Sequence, residues 1–511
     1  MKVPGIVLAA TYEQHLRVLK EYAEFWKIPY STGEAWDENS VVFLAGQIPR
    51  ESAHGPRTIV SPSGFEEARS IAQRLGLDVI SRETLLRVPV SKQATASITI
   101  LTFQFQGRRV ENLLSMNGTG ILQRVQGTGL HLLSVDLVSN YFDRLYGGLQ
   151  DPPSLRFRLA TMLPFSYNTI PSFLRNRFFK SGLRAADIAE EKLGPIECLR
   201  TIFLAGLLTV VHSPIPRIGF WRRGKSHSLA ITHDVETRVG LESGTRQLLE
   251  VEEKLRVRST WNVPSARYPI SRKDLDHLAN AGDLGGHDTR HDGRLVFLNA
   301  RQKLARLKTC KDELEMMCQS EVQGFRSPLL QHSRDLLTAI GRAGFRFDSS
   351  VPSWEVLSPT SLRSHGVGTV FPFSFDGCLE IPVSLHQDHQ LIRVMGLKPS
   401  EAVERLHQIS RWISGLGGAC VLLVHPDYEF ASPEYKSEYE RLLRGLIRSR
   451  CDVMTLREMA DWWRFRSSAG LEVVDSQVKL KQQGHLGELD DLQIELVKEY
   501  GEDGFLTETM R

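Results

Sequence analysis

Gly285-Gly286-His287-Asp288-Thr289-Arg290-His291 places two imidazoles four residues apart, beside paired glycines. Upstream, Thr232-His233-Asp234-Val235-Glu236 closes an apolar run, Ser228 to Ile231, with two carboxylates two residues apart. Two histidines and one carboxylate suffice to hold a hydrolytic metal ion while leaving positions open for water and substrate. The carboxylate left over is then free to act as a base. His233 is not counted with them, because strand alternation turns it away from Asp234.

Working outward from these motifs, residues 226–465 carry a strand–helix rhythm. Segments at 228–232, 258–263, 283–286, 322–326, 345–347, 378–383 and 420–424 read as candidate strands. Helical periodicity falls between them, at 242–256, 271–281, 299–318, 333–343 and 400–415. Repeated units of this kind form a parallel barrel or a doubly wound sheet. In a barrel the chemistry sits at the C-terminal ends of the strands. Asp234, Glu236, His287, Arg326, Asp348 and His425 all fall at or just after such ends.

Ahead of this region, residues 1–110 read as a small α/β domain. Val3-Pro4-Gly5-Ile6-Val7-Leu8, Ser40 to Leu44 and Leu77 to Ile80 look like strands, and Tyr12 to Trp26 and Glu66 to Leu75 like amphipathic helices. It contains no Walker A sequence and no GxGxxG. Residues 111–225 read as a helical connector, punctuated by prolines at 152, 153, 164, 171, 195, 214 and 216. Residues 466–511 read as a C-terminal extension of one strand and one helix, acidic from Glu488 onward.

The 511 residues have 41% hydrophobic and 24% charged content, that of a globular protein with more than one domain. The net charge of +3 gives no nucleic-acid footprint. A basic cluster at Arg217, Arg222, Arg223 and Lys225 reads as a solvated linker. Six scattered cysteines without a CxxC argue against a zinc ribbon or disulfide scaffold. The first 25 residues lack the shape of a signal peptide, and the most apolar segment, Ile202 to Val211, is half the length needed for spanning. A cytoplasmic protein is expected, with the inner membrane face as a second location.

Taken in order, the motifs of 228–465 resemble those of the polysaccharide deacetylase family, the NodB homology domain of carbohydrate esterase family 4. Asp234 and Glu236 are similar to its base and its acidic metal ligand, here separated by one residue. His287 and His291 match its His-(Ser/Thr)-x-x-His motif, with Asp288 in place of the hydroxyl residue. Arg326-Ser327-Pro328 matches Arg-x-Pro, with Leu329 and Leu330 where the family has an aromatic residue and glycine. Gly344 to Ser350 with Trp354 fits a fourth motif in general shape, and Leu423-Val424-His425 fits the fifth.

This resemblance implies a distorted (β/α) barrel of NodB type and one divalent cation, zinc first, on Glu236, His287 and His291. It implies Asp234 as base, Arg326 as the cation that orients it, and His425 as the acid that protonates the departing amine. Asp348 is the carboxylate expected to orient His425, the backbone N–H near Leu329 an oxyanion donor, and Trp354 a wall for a sugar. The implied substrate is an N-acetylated sugar, glycan or glycoconjugate precursor. The alternatives are a small cyclic amide on the same fold, or a catalytically silent scaffold.

Overall fold

The computed structural model describes residues 5–33, 40–48, 57–162, 194–448, 450–474, 477–482 and 489–510. Val3 and Pro4 of the first expected strand, the prolines at 164 and 171, and Glu488 lie outside them. By its contacts the chain divides into two compact units: Gly147–Leu193 with Lys225–Trp463, and Met1–Tyr146 with Gly194–Gly224 and Arg464–Arg511.

The unit holding the histidine motif is built on parallel strands: β1 (His227–Asp234), β2 (Ser259–Val263), β3 (Gly282–Gly286), β4 (Gly324–Phe325) and β5 (Phe347–Asp348). A short antiparallel pair, β6 (Phe373–Phe375) and β7 (Cys378–Glu380), follows, then β8 (Ala419–Leu423) and β9 (Cys451–Val453). The order across the sheet is β6-β7-β5-β4-β3-β2-β1-β8, with β9 also beside β1. The ladder leaves the β6–β7 pair and β8 at separate ends. Beyond β7, however, Leu385 N donates to Val421 O (3.2 Å) and Val421 N to Ser384 Oγ (2.8 Å), tying the extended chain onto β8.

Helices α1 (Thr245–Leu255), α2 (Arg272–Ala281), α3 (Ala300–Cys318), α4 (Arg334–Arg342), α5 (Pro399–Leu416) and α6 (Lys436–Leu446) separate the strands. Their starts follow from local chemistry. Ser271 and Asn299 form capping boxes with Asp274 and Gln302, and Ser333 caps α4. Leu336, Leu337 and Ile340 bury one face of α4, and Leu406, Ile409 and Ile413 one face of α5. Helix α6 was not anticipated from the sequence.

The other unit carries a sheet in the order 31–32, 6–10, 41–45, 57–61, 130–133, 119–125, 110–116. Its first five strands are parallel and the last two antiparallel. Strands at Val110–Met116, Thr119–Val125 and Leu130–Leu133 therefore stand where a helical connector was expected. The turn between the first two is Asn117-Gly118, both at positive φ (49° and 74°), a strong hairpin signal. Likewise Asp78–Ser91 and Ala94–Gln106 form one long hairpin, where only a short strand was read.

The tail departs from expectation too. It folds as two hairpins, Ala469–Val474 with Gln477–Gln482 and Ile494–Gly501 with Gly504–Thr509, and not as a strand and helix. The apolar segment lies in helix Pro195–Val211 and is almost wholly buried. Among the described residues no helix is long and apolar enough to cross a membrane. The basic cluster is engaged: Arg217 with Glu495 (2.7 Å), Arg223 Nε with Asp490 O (2.8 Å), and Lys225 Nζ with Cys451 O (3.0 Å). All six cysteines are buried free thiols.

Parallel packing of β2 against β3 depends on Gly282, paired with Ser259. A Cβ there would lie 1.7 Å from the Ser259 carbonyl oxygen. Gly282→Ala is expected to cost about 1–3 kcal/mol through the forced backbone shift, read as a lower urea midpoint at unchanged slope.

Candidate metal centre and active site

Because β1 to β5 and β8 run parallel, the residues that follow them gather at one edge of the sheet. Asp234 ends β1 and Glu236 follows it, His287 and His291 follow β3, Arg326 follows β4, and His425 follows β8. All six are buried.

Glu236, His287 and His291 each offer one ligand atom within 4.8 Å of the others, and a slight contraction brings them around a cation bound at about 2.0–2.2 Å. His287 is fixed from behind, its Nδ1 2.8 Å from the Arg326 carbonyl, so Nε2 is the atom it presents. His291 Nε2 lies 3.2 Å from Glu236 Oε1 without hydrogen-bond geometry. Among the described residues neither Nε2 has a hydrogen-bond partner. Two buried imidazole nitrogens without a hydrogen-bond partner, one 3.2 Å from Glu236 Oε1 and the other 3.9 Å from Asp234 Oδ2, are what a metal site would satisfy. Burial, only partly offset by Asp234, lowers His287 to about 4, which keeps its ring neutral and available as a ligand. Burial alone would push Glu236 up, but His291, His425 and His287 hold it well below the usual carboxylate range.

Asp234 stands beside this triad. Its Oδ1 accepts from Asn262 Nδ2 (2.8 Å) and Arg326 Nη1 (3.3 Å), and its Oδ2 is 3.9 Å from His287 Nε2. Burial is the largest influence on its carboxyl and would raise it. Arg326, His287, His425 and the Asn262 hydrogen bond outweigh burial and keep it ionised. Asn262 finds room because Gly285 faces it: a Cβ at 285 would lie 2.2 Å from Asn262 Oδ1.

His425 faces Glu236 from the other side, its Nε2 4.0 Å from Glu236 Oε1. Its orienting carboxylate is Asp388, not Asp348. Asp388 Oδ1 takes the His425 Nδ1 hydrogen bond (2.7 Å), and Oδ2 accepts from the His425 backbone N–H (3.0 Å). Asp348 instead points into the sheet, accepting from Ser350 Oγ (2.7 Å) and pairing in register with Glu380. Burial disfavours the His425 cation, yet Asp388, Glu236 and Asp234 together raise it to about 9.

Further residues complete the setting. Asp288 accepts from Arg306 Nε (2.6 Å) and Nη2 (2.5 Å) and from the His291 backbone N–H (3.1 Å). It is thus a strut for the ligand loop, which winds through positive φ at Asp288 (68°) and His291 (52°). Asp427 accepts from the Glu236 backbone N–H (3.1 Å) and from the Thr237 hydroxyl, joining the loop after β1 to that after β8. The Tyr428 hydroxyl lies 3.5 Å from Glu236 Oε2, and its ring meets those of His425 and His389. Leu329 adopts φ 58°, ψ 21° directly after Pro328.

His233 and Trp354, both named in the sequence, and other side chains of the unit take packing or surface places. His233 bonds Glu252 Oε1 (2.8 Å) and Val424 O (2.9 Å), a packing role. His332 stacks on His365, His386 is buried, Arg290 is exposed and Trp354 is half-buried. Trp412, Trp462 and Trp463 are buried.

No family model and no curated protein matches this chain. Its structural neighbours are polysaccharide deacetylases and other proteins of carbohydrate esterase family 4, together with an allantoinase, covering about half of the chain. A candidate polysaccharide deacetylase from Mycobacterium smegmatis is 20% identical, with a TM-score of 0.41 over 48% of this chain and 93% of that one. The allantoinase is 14% identical, with a TM-score of 0.38 over 48% of this chain and 92% of its own. A family 4 pseudoenzyme from Bacillus anthracis is 14% identical, with a TM-score of 0.33 over 47% and 68%.

Asp388 holds His425 in its charged form, so Asp388→Asn is expected to lower the His425 pKa. An NMR titration of the metal-free protein would follow its ring resonances. Loss of the proton at unchanged pH would show that Asp388 is not its partner.

Proposed function

We propose that residues 226–465 form a metal-dependent hydrolase of NodB type that removes an N-acetyl group from an amino sugar, glycan or glycoconjugate precursor. The observation that carries this reading is the pair of unpartnered Nε2 atoms of His287 and His291 facing Glu236, with Asp234 on one side and His425 on the other. Closure of the sheet into a distorted barrel belongs to the same proposal. The links from Ser384 and Leu385 to Val421 support it, as does the packing of Leu330, Val383 and Leu423 in one cluster.

Glu236, His287 and His291 would hold the cation, with zinc favoured by the mixed nitrogen and oxygen donors. When bound, such an ion acidifies water and polarises a carbonyl. Asp234 is ionised and held by Arg326 and Asn262, so it can take the proton of the attacking water. His425, charged and steered by Asp388, gives its proton to the departing amine nitrogen, which is otherwise a poor leaving group. The backbone N–H of Leu329 would be the donor to the developing oxyanion.

The second reading is hydrolysis of a small cyclic amide by the same residues. Leu329 favours it, standing where the sugar-acting family has an aromatic residue. Release of acetate from N-acetylated sugars, against ring opening of imides, separates the two.

The protein as purified is expected to carry close to one divalent ion per chain, lost in His291→Ala and retained in Asp234→Asn. Acetate release should fall by about 10²–10⁴-fold in Asp234→Asn, the usual weight of a general base. A wild-type chain that takes up no metal on reconstitution would overturn the reading.

A further inference from the structure

Residues Gly147–Met162 precede the sheet in sequence and are laid along its active edge. Gly148 O is bonded to His365 Nε2 (2.8 Å), Asp151 Oδ2 accepts from Ser358 Oγ (2.5 Å), and Ser154 N donates to Thr360 O (2.9 Å). The approach is close: a Cβ at Gly148 would lie 2.7 Å from Gly366 O. These contacts fix the start of helix Leu155–Met162, which delivers Phe157 to the meeting point of the loops after β3 and β4.

That meeting point lies beside the candidate metal centre. Gly293 comes two residues after His291, and Leu329 three after Arg326. A Cβ at Gly293 would stand 3.4 Å from Leu329 Cδ1 and 3.8 Å from Phe157 Cζ. Phe157 is itself held, stacked on Phe297 at 5.8 Å with 25° between the rings, and only 9% exposed. After β8, Tyr428 packs on His425 (4.9 Å) and His389 (5.1 Å) beneath the Arg393 guanidinium (4.4 Å).

We infer that Phe157, supplied from outside the strand–helix repeat, is a specificity-determining wall of this site. It bounds the edge between β3 and β4 and excludes bulky groups from that side of His287 and His291. The inference rests on the reading of His287 and His291 as the centre of the site, but its test needs no metal.

The test is carbethoxylation of the full-length, metal-free protein by diethyl pyrocarbonate, followed residue by residue by mass spectrometry. Phe157→Ala is expected to speed modification of His291 roughly threefold or more by opening its local cover, while His131 and His233 stay as slow as in the wild type. Phe157→Trp, which enlarges the wall, is expected to slow it. If the alanine variant loosens the whole unit, His233 reacts as well and the tryptophan variant decides. An unchanged His291 rate in the tryptophan variant, or in both, overturns the inference. Failure of metal uptake would overturn the hydrolase reading and leave this measurement standing.

Discussion

Arg326 is the group on which the site depends. Its guanidinium is fully buried, and it donates to the Thr232 hydroxyl, the Ser349 carbonyl and hydroxyl, and the Asp234 carboxylate. Its own carbonyl receives His287 Nδ1, and its backbone N–H donates to Gly286 O. The side chain, carried at the end of β4, therefore ties β1 to the end of β5, while the backbone carbonyl of the same residue orients the His287 ring. A buried guanidinium without a carboxylate is severely unfavourable, so the charge that keeps Asp234 ionised is also one the fold must keep paired. Lysine would not substitute, because the planar fork is what reaches Thr232, Asp234 and Ser349 at once.

Much of this was legible in the sequence, because parallel strands turn a one-dimensional pattern into a shared edge. The segments 228–232, 283–286, 322–326 and 420–424 located the strands, and the polar residues at or just past each end located the edge. Asp388 escaped because the chain beyond β7 stays extended after its ladder ends, so the edge lies further along than the apolar run at 378–383 indicated. Asp348, at a real strand end, was taken in its place; its carboxyl sits within the β5–β7 register opposite Glu380. Asn262 lies inside the mixed strand Ser259–Val263, and an uncharged amide draws no attention in a search for catalytic groups.

In the other unit the reading failed for a different reason. Strands at 110–133 carry polar residues on their exposed faces and lack long apolar runs, so their periodicity is weak beside the prolines that follow. The Asn117-Gly118 turn was the stronger clue, since both residues must enter the left-handed region to match the twist of the strands. Turn chemistry there outweighed composition.

The left-handed residues of the active edge bear on how an ion would arrive. Asp288, His291, Leu329 and Leu330 all hold positive φ, a conformation costing roughly 1–2 kcal/mol for each side-chain-bearing residue. Here it is sustained by Arg306, Arg267 and the strand ends. The groups that offset that strain are the protein's own, Arg306 on Asp288 and Arg267 on the His291 carbonyl. Ion binding would then be a docking event into a preassembled socket, unlike a zinc finger, whose chain orders only around its metal. Thermal resistance would rise with free ion by simple mass action, and stripping the ion would leave a folded protein able to reload.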